Sequence, residues 1–266
     1  MGSKNLKAVA CRGTSGTQVG DAMAFMQATG ACNQILADNP VTGEGLPTYG
    51  TQVLMNVINE TGALPTRNAS EVQFEGASDI SGEAMTTPRE SDGKANLVSN
   101  AACFGCPISC QRRSQMDPNH FSVAGQPKYH GVEGGVEYEN AWALGAATGV
   151  NDLEALTYCN YICNEYGMDP ISLGSTIGAA MELYKDGVIT DADTGGLALE
   201  FGSAEALCKI CDQTGRGEGF GKEIGQGSRR LCEKYSRPEL SMTVKSQEFP
   251  AYDPRGIQGM GLTYAT

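Results

Sequence analysis

Two adjoining segments, 151–167 and 169–187, each carry a start signal, an apolar stripe and a stop signal, which commits this part of the chain to helix packed on helix. Asn151 or Asp152 stands where a side chain can accept the free N–H groups of a first turn; Leu153, Leu156, Cys159, Tyr161, Ile162 and Cys163 follow at helical spacing, and Gly167 ends the run. Asp169-Pro170 opens the second segment, which runs through Ile171, Leu173, Ile177, Ala180 and Met181 to Leu183 and closes at Gly187. Similar signals predict helices from Asp21 to Leu36, Thr51 to Glu60 with Thr51 as cap, Glu137 to Gly145, Ser203 to Gly215 and Glu218 to Tyr235. Strands do not alternate with these helices, so a doubly wound sheet is excluded and the chain reads as mainly α.

The rest is turn and connection. Leu6 to Cys11 has the alternation of an edge strand, Pro65 to Asn68 reads as a turn, and residues 69–102, poor in large apolar side chains, read as an exposed connection with a short helix or two. Gln111 to Gly135 is polar and Gly-rich and holds both histidines, His120 and His130, for which a metal role is disfavoured.

Chemistry concentrates at Cys103-Phe-Gly-Cys106-Pro-Ile-Ser-Cys110. Three thiols at spacings of three and four positions, with a Pro stiffening the run, can converge on one metal object, and iron–sulfur clusters are held by such thiolates, usually four. Three reduced structural cysteines, or zinc, are the alternatives; zinc sites pair two short hooks, and the other short hook here is Cys208 with Cys211. A cluster leaves one ligand to be supplied from elsewhere. Cys163 is a candidate, but its place on a helix stripe suits a buried thiol better.

A net charge of −12 with scattered Lys and Arg gives no electrostatic footprint for nucleic acid, and no apolar run reads as a signal peptide or membrane span. Ten cysteines without such a leader point to a cytoplasmic protein with metal ligands and buried thiols rather than disulfides. Both ends read as cut, as in an internal piece of a longer protein.

Several stretches in order resemble the tungsten-containing aldehyde:ferredoxin oxidoreductase family. Met1-Gly-Ser-Lys-Asn-Leu-Lys-Ala8 resembles the end of the family's N-terminal pterin-binding domain, and Leu64-Pro-Thr-Arg-Asn68 its Pro-Thr-x-Asn-Phe turn, with Ala69 in place of Phe. The cysteine run matches the family's cluster loop; Gly135-Val-Glu-Tyr-Glu-Asn140 is similar to Gly-Pro-Glu-Tyr-Glu-Thr. Pro250-Ala-Tyr-Asp-Pro-Arg-Gly256 and Tyr264-Ala-Thr266 resemble its Asp-Pro-Arg-Gly and Tyr-Ala-Thr segments. The resemblance implies a [4Fe–4S] cluster on Cys103, Cys106 and Cys110, beside tungsten (or molybdenum) held by two pterins. The family's Asp-x-x-Gly-Leu-Asp pterin motif maps onto Asn164-Glu-Tyr-Gly167-Met168-Asp169, with Asn164 replacing an acid and Met168 replacing Leu; without the family, the same residues are a helix C-cap.

Glu139 matches the family's glutamate near the metal and would shuttle a proton if burial raises its pKa; Glu137 is the fallback, and a simple helix-start acid the alternative. The implied divisions are 1–18, the tail of a pterin-binding β domain; 19–240, a helical domain with the cluster loop; and 241–266, the start of a further helical domain. A second pterin motif with the fourth cluster cysteine, and a histidine near the metal, fall outside these residues, so this piece alone is expected to be inactive. The implied activity is oxidation of aldehydes to carboxylic acids with electrons passed to ferredoxin or another carrier subunit, with a possible homo-oligomer. A reductive or non-aldehyde member, or an electron-transfer subunit without substrate chemistry, remains open.

Overall fold

The Asp152 carboxylate accepts the Ala155 N–H at 3.0 Å, and that of Asp169 accepts the Ile171 and Ser172 N–H groups at 3.4 and 3.0 Å. Both helices therefore begin where their caps predict. The computed structural model describes residues 4–266. In chain order its α-helices are α1 (Ala22–Asp38), α2 (Leu46–Tyr49), α3 (Leu54–Glu60), α4 (Gly82–Thr86), α5 (Tyr138–Leu144) and α6 (Leu153–Tyr166). Then come α7 (Pro170–Lys185), α8 (Asp191–Thr194), α9 (Ala204–Arg216), α10 (Gly221–Ile224), α11 (Ser228–Lys234) and α12 (Gln258–Ala265). Strands β1 (Leu97–Ala101), β2 (Gln111–Ser114) and β3 (Glu133–Gly134) form one antiparallel sheet in that order, and β4 (Thr243–Val244) pairs with β5 (Gln247–Glu248). The chain is mainly α, as its caps and stripes require.

The core lies where α6 packs on α9 and where α5 and α11 pack on α7. Trp142, Leu144, Leu156, Ile162, Ile177, Met181, Leu207 and Ile210 are all sealed from solvent there. Each fully buried aliphatic side chain contributes roughly 1.5–3 kcal/mol, so this layer outweighs the short outer elements. The α5–α7 approach is close enough that a Cβ on Gly174 would lie 2.3 Å from the Ala143 carbonyl oxygen. Helix α1, by contrast, buries no residue, and Met23, Phe25, Met26 and Ile35 are all exposed. No helix among the described residues is long and apolar enough to cross a membrane.

Several local expectations are corrected. Leu6 to Cys11 forms no strand, because alternation makes a strand only where a partner ladder exists, and none lies beside it among the described residues. Residues 69–102 are no exposed connection: Phe74, Ile80 and Met85 are buried, and the segment ends in β1. Thr51 sits inside a 3-10 turn, Gly50–Val53, ahead of α3, and its hydroxyl caps a different helix. The helix expected over Glu218 to Tyr235 is broken into α10 and α11 at Gly225-Gln226-Gly227, where Gly227 takes φ +86°. Helix α9 runs past Gly215 and stops at Gly217, in the left-handed conformation.

Candidate functional site

Ala101 pairs with Gln111, so residues 102–110 are the connection of the β1–β2 hairpin and carry all three cysteines of the run. Cys103 is exposed and Cys106 and Cys110 are partly exposed, all three as free thiols. The connection bends through Gly105 at φ +71° and Ser109 at φ +57°, with the Cys106 N–H donating to the Cys103 carbonyl at 3.0 Å. The three sulfurs are not drawn together: among the described residues no three His, Cys, Asp or Glu side chains are gathered to hold an ion. The donor chemistry fits a cluster, with soft thiols on one turn and a missing donor to be added; the side-chain convergence is not present.

Four of the other cysteines explain why the short hook does not make a zinc site. Cys159, Cys163, Cys208 and Cys211 are buried at the α6–α9 interface, with 3.8 Å between the Cys159 and Cys208 sulfurs. Burial first, and the neighbouring thiols second, push the Cys159 thiol well up, so it stays protonated. Cys163 is equally sealed, which suits packing rather than ligation. The histidines are also engaged: His120 lies 3.0 Å from Asp152 and 2.8 Å from the Ser122 hydroxyl, and His130 Nε2 lies 3.0 Å from the Val123 carbonyl.

The hairpin continues into the acidic pair. Strand β2 pairs with β3 through Arg113 with Gly134 and Ser114 with Glu133, and β3 leads directly to Glu137 and α5. Thr51 fixes that entry, its hydroxyl accepting the Tyr138 N–H at 2.9 Å and donating to the Glu137 carboxylate at 2.5 Å. The two glutamates diverge. Glu137 turns toward Thr51 and Arg112, while Glu139 Oε2 accepts the Ala251 N–H at 2.9 Å. Burial raises the pKa of both carboxyls, with the Thr51 hydrogen bond opposing it at Glu137 and the Ala251 N–H opposing it at Glu139. Glu139 thus has one oxygen fixed and a carboxyl pKa raised by burial.

Residues 250–255 are what sequence reasoning missed as the partner of Glu139. The Tyr138 hydroxyl donates to the Ala251 carbonyl at 2.7 Å, and the Tyr138 and Tyr252 rings lie 5.6 Å apart. Asp253 receives the Arg255 side chain and fastens to residue 63 through its N–H. Trp142, one helical turn after Glu139, donates to the Pro65 carbonyl at 2.6 Å and lines a cleft with Tyr252, Phe249 and Arg255.

Asn164, Gly167, Met168 and Asp169 occupy the α6–α7 corner. Asn164, Gly167 and Asp169 are exposed and Met168 is partly so. Gly167 takes φ +69°, its N–H and that of Met168 donate to the Cys163 carbonyl, and the Asp169 carboxylate caps α7. The corner is a helix stop and start with an open amide, Asn164, on its outside. Asn160, a turn earlier on α6, donates to the Gly134 carbonyl at 3.2 Å, so the helix carrying this corner is tied to the strand that leads from the cysteine hairpin to Glu137. Among the described residues no hydrogen bond joins the hairpin cysteines, Glu139 and the corner.

The family described as "Aldehyde ferredoxin oxidoreductase, domains 2 & 3" matches residues 27–266. The chain is 43% identical over 267 residues to a tungsten-containing aldehyde ferredoxin oxidoreductase of Pyrococcus furiosus, covering all of this chain and 41% of that protein. It is also 31% identical over 137 residues to an aliphatic sulfonate oxidoreductase, WOR-like subunit, of the same organism, which covers 51% of this chain and 20% of that protein. Among solved structures, the active-site complex BamBC of benzoyl coenzyme A reductase superposes with a TM-score of 0.61 at 16% identity, covering 86% of this chain and 34% of that one, which shows a shared fold.

Proposed function

The chain belongs to the aldehyde ferredoxin oxidoreductase family, and from that premise we propose that it is the middle portion of a tungstopterin oxidoreductase that converts aldehydes to carboxylic acids. The observation that carries the reading is Glu139, partly buried in the first turn of α5, bound by one oxygen to the Ala251 N–H and raised in pKa by burial. Cys103, Cys106 and Cys110 would hold three corners of a [4Fe–4S] cluster. Asn164, Gly167, Met168 and Asp169 would contact a pterin, with Asp169 limited by its use as a cap.

When bound, tungsten on its pterins would supply the two-electron oxidation and the cluster a one-electron exit to ferredoxin or another carrier. This chain's own part is proton handling. An aldehyde and a water become a carboxylic acid with loss of two protons and two electrons, and Glu139 Oε1, left free while Oε2 is fixed, takes one of those protons. Burial, which raises the pKa of this carboxyl, favours its taking up the proton. The boundaries 1–18, 19–240 and 241–266, and a cytoplasmic setting, belong to this same proposal.

A second reading is favoured by the similarity to the sulfonate oxidoreductase subunit over half the chain: the same portion in a member acting on a non-aldehyde substrate. Assay of the full-length protein separates them. Tungsten and iron in the purified protein, aldehyde-dependent reduction of ferredoxin, and a fall in turnover of about 10²–10⁴-fold in Glu139→Gln at unchanged metal content are expected. Iron without tungsten or molybdenum would leave only an electron-transfer role, and full turnover in Glu139→Gln would remove the proton assignment.

A further inference from the structure

Directly under the cysteine hairpin lies a guanidinium that is 1% exposed and has no carboxylate within salt-bridge distance among the described residues. All five N–H groups of Arg112 are used. Nε donates to the Cys110 carbonyl at 3.1 Å; one terminal nitrogen donates to the carbonyls of Leu46 and Ser109 at 2.7 and 3.1 Å. The other donates to the Thr48 carbonyl at 3.2 Å and to the Asn100 side-chain oxygen. Every acceptor is neutral. The site is shaped for the side chain, since Gly50 sits at φ +64° and a Cβ there would fall 2.2 Å from Nε.

A buried cation without a direct ion pair is costly, and arginine does not escape by losing its proton; the charges that act on it through space are the Glu137 carboxylate and, second, the Cys110 thiol. Its contacts show where a compensating charge would count most. Ser109 and Cys110 lie at one end of the connection and Asn100 in the strand before the other, so the guanidinium ties both ends to residues 46–48. Glu137 balances it in part from the α5 side; on the connection itself the charge falls at Cys110, where thiolates around iron would supply it.

Resting on the cluster reading above, we propose that Arg112 is both the positioning residue and the counter-charge of the cysteine loop, making a cluster held there easier to reduce. Each added electron raises the negative charge beside a fixed positive one in a dry setting, so the cation favours the reduced form. Its five-donor fork serves the positioning, and its charge serves the potential.

The two parts separate by substitution in the full-length holoenzyme, reading iron content, resistance to an iron chelator and the cluster midpoint potential by EPR-monitored titration. Arg112→Gln is expected to lower the reduced-to-oxidised ratio at a fixed potential about tenfold, a negative shift of about 59 mV for one electron. Arg112→Lys keeps the charge and the potential but loses iron faster to the chelator, having fewer donors. Asn100→Asp places a carboxylate on the guanidinium without removing it, and is expected to shift the potential in the same direction as Arg112→Gln. An iron-loaded Arg112→Gln with unshifted potential overturns the inference. If that variant assembles without iron, Asn100→Asp decides, and an unshifted potential there overturns it equally. A wild-type holoenzyme without iron would instead overturn the cluster reading itself.

Discussion

Cys103, Cys106 and Cys110 stand on an open hairpin connection, whereas Cys159, Cys163, Cys208 and Cys211 are sealed between α6 and α9. Both groups are built on short cysteine spacings, yet the settings give them opposite chemistry. On the hairpin a thiol is open to solvent and within reach of a metal. Between the helices desolvation pushes the Cys159 and Cys163 thiols up, and they act as small apolar side chains. Spacing brings thiols together in sequence; the dielectric around them decides whether they are ligands.

The largest expected effect tests the open group. Cys106→Ser in the full-length protein is expected to remove most of the bound iron while leaving helix content by circular dichroism unchanged; full iron retention would break the distinction between the groups. The sealed group should behave in reverse. Cys159→Ser puts a hydroxyl where no water reaches, at a cost of about 1–3 kcal/mol in denaturant unfolding, with iron per protein unchanged. Loss of iron in that variant would assign the helix thiols a ligand role they lack here.

The smallest effect is a pH slope. Burial pushes the Cys232 thiol up to about 11, above its ordinary value. A raised folded-state pKa means its contribution to stability is complete below the unfolded thiol's value of about 8.5 and is lost as pH rises through the folded one. The melting temperature should therefore fall between about pH 8.5 and 11, and Cys232→Ala should flatten that fall although it melts lower at neutral pH. An identical slope in both proteins would show that the buried thiol does not contribute.

What the sequence made legible was local. Asp152, Gly167, Asp169 and Ser203 act on residues within a turn of themselves, and their helices start or stop as expected. What it hid depends on distant partners. Leu97–Ala101 and Gln111–Ser114 are short, the second wholly polar, and become strands because they pair. Thr51 looked like the cap of its own helix and instead serves Tyr138, far along the chain. Arg112 was passed over because charged residues are usually exposed; its burial is set by carbonyls from four separate positions and by the space at Gly50. At the site, the cysteine spacing and the acidic start of α5 were readable, while the grip of Ala251 on Glu139 was not, since a backbone N–H leaves no mark in composition.

The pairing of Ala101 with Gln111 also divides the molecule's tolerance to insertion. Residues added within 102–110 lengthen a connection and leave the ladder on either side in frame. One residue added between Gln111 and Arg112 does not, because β2 alternates outward, inward, outward, inward. That single step would turn Arg112 and Ser114 to solvent and present the inserted residue and Arg113 to the interior. On one side of Gln111 the ladder leaves length open and only the cysteine spacing and the Arg112 contacts restrict it; on the other the ladder itself fixes parity.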